Sequence, residues 1–248
     1  MSAPLPVEHE TFMARFGLQE IATAYGSTEV SGCLTRTPDV PLVRGSCGRQ
    51  RDGYLVRLVD EHDFEVPDGD YGELVVRTDQ PWSLSTGYVD DPAATAASWR
   101  NGWFHTGDIF RRDNQGNYYF HDRRTDAVRR RGENISSFEV EREVLAFPGI
   151  AEVACVAVQT EGQPDDEVKV FVVLEEPLDL ESLVGFLVDR MPHFMVPRYY
   201  EVVDQLPKTA TMRVEKHRLR TLGNSESTWD CQAFGLKVTS SGLVRTPK

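Results

Sequence analysis

Between about Gly45 and Phe120 the apolar positions gather in short strand-like runs, YLVRLVD, GELVVR and GNYYFHD, separated by Gly, Pro, Asp and Asn. Short runs rich in Val, Leu and Tyr between turn residues read as strands, so this region is expected to be mostly β. Past Asp122-Arg123 the pattern changes. SSFEVEREVLAF has apolar residues at helical spacing behind an N-cap serine, IAEVACVAV and EVKVFVVLEE read as strands, and DLESLVGFLVDRM reads as a helix capped by Asp179. The order helix, strand, strand, helix, strand predicts a compact α+β domain ending near Leu222. Its expected core includes Val140, Val144, Val156, Val158, Val170, Phe171, Val172 and Leu187. The remainder, from GNSESTWD to the end, is polar and aperiodic and reads as a tail.

Composition changes this picture in two ways. With 40% hydrophobic residues in a chain of 248, a sizeable core can be buried, and one or two domains are expected. A formal charge of -12 excludes a long nucleic-acid footprint, because neutralising phosphates requires clustered Lys and Arg. The local exception is RRTDAVRRRG, which serves equally as a solvated basic face. The four cysteines are scattered, with no C-x-x-C pair, so reduced thiols are expected rather than a disulfide framework or zinc site. The start lacks a basic stretch followed by an apolar run. No apolar run approaches the roughly 18 residues of a membrane helix, and a soluble, cytoplasmic protein is the expectation.

Candidate chemistry clusters in a few segments. In YGSTEVSG an apolar approach meets a glycine turn, which puts Tyr25 at a strand end with Glu29 just beyond it. Strand ends border crevices where backbone groups stay free. Tyr25 can offer a flat face to a heterocycle, Thr28 a hydroxyl to phosphate, and Glu29 a hard oxygen to magnesium; a surface turn explains the same residues without a ligand. In WFHTGD, Asp108 follows a Thr-Gly turn and can accept from the vicinal hydroxyls of a ribose, or can simply serve the turn. Arg123 lies past the run YYFHD, and its planar fork suits phosphate or ribose oxygens as well as an ion pair.

Taken together and in order, YGSTE, GELVVR, STGYVDDP through WFHTGD, DRRTDAVRRRGENISSFEVE and LPKTATMRVEKHRLR resemble the C-terminal half of the acyl- and aryl-CoA synthetases, members of the adenylate-forming superfamily. The matching stretches run from about Ile21 to Arg220. The last two look most like the carnitine/crotonobetaine and fatty-acid CoA ligase branch. The resemblance implies an α+β fold of truncated type. Residues 1–123 would be the mostly β end of the large AMP-binding domain, 124–222 a mobile α+β domain, and 223–248 the tail. It implies that Tyr25 packs on adenine beside Gly26, that Thr28 lies near the phosphates, and that Glu29 helps hold Mg2+. Asp108 would bind ribose and Arg123 further nucleotide atoms. The implied reaction joins a small carboxylic acid to ATP and then to coenzyme A, the C-terminal domain rotating on a hinge after Arg123 between the steps. Gly132 would let the backbone approach the pantetheine of coenzyme A, with neighbouring arginines meeting its phosphates.

Three departures from the family pattern matter. The Gly, Ser and Thr-rich phosphate loop ending in lysine, and most of the large domain, do not occur in the sequence. Arg213 stands where a lysine bridges carboxylate and α-phosphate, preceded by Met212 where glycine is common, and arginine is no conservative exchange at such a contact. Lys208 and Lys216 are the nearby amines. Thr125 occupies the hinge position usually held by Asp or Lys. The chain is therefore expected to be a ligase fragment, inactive alone, associating with a missing half or with itself through apolar surface around FGLQEIATAYG. A non-catalytic chain binding nucleotide, coenzyme A or a partner, and a fragment of a peptide-synthetase adenylation domain, are the other readings.

Overall fold

The computed structural model describes residues 6–37, 43, 45–160 and 165–245. They divide into two compact units, one ending at Arg124 and the other beginning at Thr125. No helix among the described residues is long and apolar enough to cross a membrane.

In the first unit, α1 (Pro6–Phe16) leads to β1 (Thr23–Tyr25), β2 (Leu34–Arg36) and β3 (Arg49–Gln50), a small antiparallel sheet in that order. There follow β4 (Tyr54–Val59), β5 (Tyr71–Thr78), α2 (Pro92–Ser98), β6 (Trp99–Arg100), β7 (Trp103–Arg112) and β8 (Tyr118–Arg123). The five strands make one antiparallel sheet, with β5 between β4 and β7 and both β6 and β8 on β7. Alternation in β4 buries Tyr54, Val56 and Leu58 against Leu74, Val76, Phe104, Phe110 and Tyr118. In α2, Asp91 caps the Ala94 N–H at 2.9 Å, and Pro92 opens the helix where no N–H is needed.

The register between β5 and β7 breaks between Glu73 and Val75: Glu73 faces Ile109 and Val75 faces His105, so Thr106, Gly107 and Asp108 all stand opposite Leu74. Such a bulge bends a strand and re-aims its side chains. Gly107 supplies the positive φ of 72° that it needs.

The second unit runs through β9 (Val128–Arg130), β10 (Glu133–Ile135), α3 (Ser137–Leu145), β11 (Ile150–Gln159), β12 (Asp166–Leu174), α4 (Leu180–Val188), β13 (Tyr199–Val202) and α5 (Lys216–Leu222). It ends with β14 (Trp229–Asp230), β15 (Leu236–Thr239) and β16 (Gly242–Arg245). A sheet in the order β11-β12-β13-β14 carries residues of α3 and α4 on one face and Leu219 of α5 on the other. Cover on both faces explains the nearly continuous Val-rich run of β12. Every residue of the expected core is buried. Ser136 accepts the Glu139 N–H at 3.1 Å, and Asp179 accepts from Glu181 and Ser182, each at 3.2 Å.

The stretch from Gly223 onward is a correction to the sequence reading, because it folds. β14 pairs antiparallel with β13, and Arg198 makes two bonds to Asp230 at 3.1 and 2.9 Å. Cys231 and Leu236 are buried, while Val238 and Leu243 of the β15–β16 hairpin pack on the same core. Its strands are only two to four residues long, too short to display a period. The four cysteines are buried free thiols.

Candidate functional site

YGSTEVSG is the connection between β1 and β2, and it doubles back tightly. Ser27 N–H donates to Val30 O at 2.8 Å, and a Cβ on Gly26 would stand 2.4 Å from Gly32 N and 2.7 Å from Val30 O, so only glycine fits. Segment 84–88 supports the loop, with Ser85 N–H donating to Glu29 O at 2.8 Å. Glu29 accepts at one oxygen from Ser27 Oγ (2.6 Å) and at the other from Tyr88 Oη (3.0 Å). Burial works to raise its carboxyl, but these hydrogen bonds and the charge of Arg123 outweigh it and hold Glu29 below the usual carboxylate range. Thr28 beside it is exposed.

Asp108 sits on the bulge and is 6% exposed. Tyr25 Oη donates to its Oδ2 at 2.5 Å, while Arg123 Nε, on the β8 residue paired with Asp108, lies 3.5 Å from Oδ1. Burial raises the Asp108 carboxyl, opposed by the Tyr25 hydroxyl and the Arg123 charge. Burial also raises the Tyr25 phenol, and the neighbouring carboxylate adds to that. The structure thus brings Tyr25, Gly26, Thr28, Glu29, Asp108 and Arg123 into one region of the first unit. It corrects one detail. The Tyr25 ring is only 3% exposed, set edge-on to Phe110 at 4.7 Å, and its polar end is spent on Asp108 rather than left open.

Gly132 and Arg213 belong to the second unit. Arg131 and Gly132, with φ of 53° and 83°, form the two-residue turn of the β9–β10 hairpin, and nothing lies within 4 Å of where a Gly132 Cβ would be. The arginines around it divide. Arg129 and Arg131 are exposed, whereas Arg130 is buried against Glu167 at 2.8 Å and donates to Phe194 O and Val196 O. Arg213 closes a tight loop: Met212 N–H donates to Thr209 O (2.9 Å) and Thr209 N–H to Arg213 O (2.8 Å). Among the described residues its side chain forms no ion pair. The two nearby amines are engaged, Lys208 with Glu152 and Lys216 with Glu141, each at 2.7 Å.

Two supporting groups were missed from sequence. Tyr88 holds Glu29, and the buried Glu73 stands behind Asp108 with the buried His105 and the partly exposed Asp63 and Arg100. The only signal was a glutamate at the start of the apolar run GELVVR, and its partner Gly107 lies 34 positions away.

The buried Asp108 carboxylate, held by the Tyr25 phenol beside Arg123 with Glu29 on the adjoining loop, can accept from hydroxyl groups, and Arg123 can meet an anion. The chain belongs to the AMP-binding enzyme family: the AMP-binding enzyme pattern matches residues 1–89, and that of the AMP-binding enzyme C-terminal domain matches 139–213. It is 34% identical over 217 residues to a crotonobetaine/carnitine–CoA ligase of Salmonella arizonae, covering 86% of this chain and 42% of that protein. It is 37% identical over 204 residues to a long-chain-fatty-acid–CoA ligase of Escherichia coli, covering 82% and 36%. Among solved structures, the O-succinylbenzoate coenzyme A synthetase of Bacillus subtilis with ATP and magnesium superposes with a TM-score of 0.78 at 26% identity, covering 88% of this chain and 45% of that one. A benzoate CoA ligase from Burkholderia xenovorans gives 0.73 at 31% identity, covering 88% and 44%. The chain therefore spans less than half the length of these relatives.

Proposed function

We propose that the chain carries part of the machinery of an AMP-forming ligase that joins a small carboxylic acid to coenzyme A with ATP, and that it is catalytically inert alone. The observation that carries this reading is the Tyr25–Asp108–Arg123 group with Glu29 beside it. Asp108 offers oxygens to the ribose hydroxyls of AMP. Arg123 faces ribose or phosphate oxygens, and Gly26 keeps the loop tight enough for the exposed Thr28 to meet phosphate. Tyr25 contributes by fixing Asp108, its ring being closed off.

Mg2+ fits as a shared ligand. Glu29 is held ionised and half-buried, although no cluster of three or more His, Cys, Asp or Glu suited to a metal occurs among the described residues. One carboxylate plus nucleotide phosphates and water is the usual way a protein holds magnesium. The ion would supply charge neutralisation at the phosphates.

In the first half-reaction a carboxylate oxygen attacks the α-phosphorus and the bond to the bridging oxygen breaks, releasing pyrophosphate. In the second, the coenzyme A thiol attacks the acyl carbon, loses its proton and displaces AMP. Arg213 is assigned to the carboxylate and α-phosphate in the first step, and Gly132, with the exposed Arg129 and Arg131, to coenzyme A in the second. A turn about the segment after Arg123 exchanges the two sets.

No Gly-, Ser- and Thr-rich phosphate loop occurs in the sequence, and Arg213 replaces a lysine with a bulkier, planar cation. That same exchange favours a second reading, a chain that binds nucleotide, coenzyme A or a partner without catalysis. Phe12, Phe16 and Leu18, at 50, 59 and 42% exposure, form the surface through which a complementary chain or second copy would associate.

Exchange of labelled pyrophosphate into ATP across a panel of carboxylic acids tests this. No exchange is expected from the chain alone, with AMP binding that Asp108→Ala removes. Robust exchange abolished by Glu29→Ala overturns the inert state, and AMP binding unaffected by Asp108→Ala overturns the nucleotide assignment. Exchange restored by adding a chain with the phosphate loop selects the split ligase over the non-catalytic reading. A clean monomer at high concentration in sedimentation removes the proposed self-association.

A further inference from the structure

Asp108 owes its position to the bulge in β7, and a bulge leaves backbone groups without ladder partners. The extra residues here are closed from within the sheet. Thr106 Oγ1 donates to Leu74 O at 2.7 Å and accepts the Asp108 N–H at 3.1 Å. Gly107, with no strand partner and φ of 72°, has its N–H taken by Glu73 Oε1 at 3.0 Å. Its carbonyl accepts the Arg124 N–H at 2.8 Å. The other Glu73 oxygen meets Arg124 and Arg100, each at 3.4 Å, and His105 Nδ1 at 3.2 Å. Glu73 is 5% exposed and belongs to β5, a strand fixed on both sides by β4 and β7.

From this geometry we infer that Glu73 is a positioning residue for nucleotide binding: its carboxylate fills the bulge, fixes the Gly107 peptide, and so sets the direction of Asp108 and the start of the segment after Arg123. The inference rests on the assignment of Asp108 to ribose. The physical reason is that a glycine at positive φ has no side chain to resist rotation of its peptide planes. A single acceptor on the Gly107 N–H removes that freedom, and an ionised acceptor does so more firmly than a neutral one. A neutral group of the same shape keeps the hydrogen bond to Gly107 and gives up the ion pairs. An apolar group gives up both.

The test uses the full chain with Glu73→Gln and Glu73→Ala, AMP and 2′,3′-dideoxy-AMP as probes, and hydrogen exchange at the Gly107 amide together with carboxyl 13C titration of Asp108 as readouts independent of binding. Wild type is expected to prefer AMP. Glu73→Ala should bring the two nucleotides to equal affinity, make Gly107 exchange roughly tenfold to hundredfold faster, and shift the Asp108 titration. Glu73→Gln should keep most of the preference and supplies the test if the alanine variant does not fold. Equal weakening of both nucleotides, with the preference and the Asp108 titration unchanged, means that Glu73 only stabilises the fold, and overturns the inference. If wild type shows no preference for the ribose hydroxyls, the assignment of Asp108 falls. The positioning of its carboxyl is then decided by the exchange and titration alone, unchanged values in both variants overturning it.

Discussion

Lys169 and Asp108 are both buried charged groups, one in each unit, and they are held differently. Lys169 has no exposed surface, and its ammonium reaches Gly223 O at 2.5 Å, Glu201 Oε2 at 2.6 Å and Thr228 Oγ1 at 2.9 Å, with the Phe171 ring centroid 4.5 Å away. Each of its three donors has an oxygen. Asp108 has one short bond, from Tyr25, and at its other oxygen a half-exposed guanidinium 3.5 Å away. The Lys169 donors are thus closed internally, as a buried charge requires, whereas Asp108 keeps one oxygen facing a half-exposed side chain, which suits the ligand role proposed for it.

The largest expected effect breaks the closed cluster. Burial lowers the Lys169 ammonium, opposed by Glu201, and removing one partner of a buried pair typically costs about 3–5 kcal/mol. Lys169→Ala should lose that much in urea unfolding. A chain ending after Leu222 should lose at least as much, because Thr228, Cys231 and Leu236 leave with the segment. An unchanged midpoint in either variant would show that Lys169 is not closed in the way its contacts indicate. The autonomous folding unit is thus expected to run from Thr125 to Arg245, beyond the boundary near Leu222 suggested by sequence.

The same contrast explains what could be read from sequence. The second unit was legible where its elements are long: Val140 and Val144 are one helical turn apart behind the cap Ser136, and β11 and β12 each run nine residues or more. β14 to β16 were not, since strands of two to four residues carry too few positions to show alternation. In the first unit β7 was hidden because its bulge interrupts the alternation at Thr106 to Asp108, the very place that shapes the site. Side chains carrying their own chemistry, such as Tyr25, Glu29 and Asp108, could be named from order along the chain. Their supports Glu73 and Tyr88 could not, because those contacts span 34 and 59 positions. Closure of the Tyr25 ring is likewise a property of packing around it, from Phe110 above all.

A second test presses on the loop from Tyr25 to Gly32. Gly26→Ala sets a Cβ against Gly32 N and Val30 O, both backbone atoms that cannot swing aside, so about 3 kcal/mol is expected, the upper end of overpacking costs. Gly132→Ala makes the control, since it meets open space and pays only for its backbone, about 1 kcal/mol. Equal costs at the two glycines would remove the claim that one is fixed by packing and the other by turn geometry.

A third test asks whether a turn remote from the site is closed like Lys169. Asp113, in the β7–β8 connection, accepts from Gln115 N, Asn117 N, Asn117 Nδ2 and Tyr119 Oη, each at 2.9 Å. Burial works to raise its carboxyl, but these donors outweigh it and bring the group down to about 2. A carboxyl lowered on folding gives stability that is complete above its unfolded value near 4 and disappears as pH falls through about 2. Asp113→Asn should therefore cost about 2 kcal/mol at neutral pH and nothing near pH 1.5, judged from paired urea titrations. A cost that persists undiminished at the acid end would mean that shape, not charge, holds the turn.

The smallest effect is also the one that speaks most directly to the family departure at Met212. Its φ is 62°, in the left-handed region that favours glycine. An L-residue there carries about 1–2 kcal/mol of strain, part of which glycine would give back as a more flexible unfolded chain. Met212 is 70% exposed, so little packing is lost on replacement. Met212→Gly should therefore stabilise the chain by about 0.5–1 kcal/mol, seen as a higher urea midpoint at unchanged slope. Arg213 neighbours the strain and makes no ion pair among the described residues, so Arg213→Lys added to Met212→Gly should leave stability where the single change put it. If Met212→Gly instead destabilises, the methionine makes a contact worth more than the strain, and the loop is a packed element like Tyr25 to Gly32.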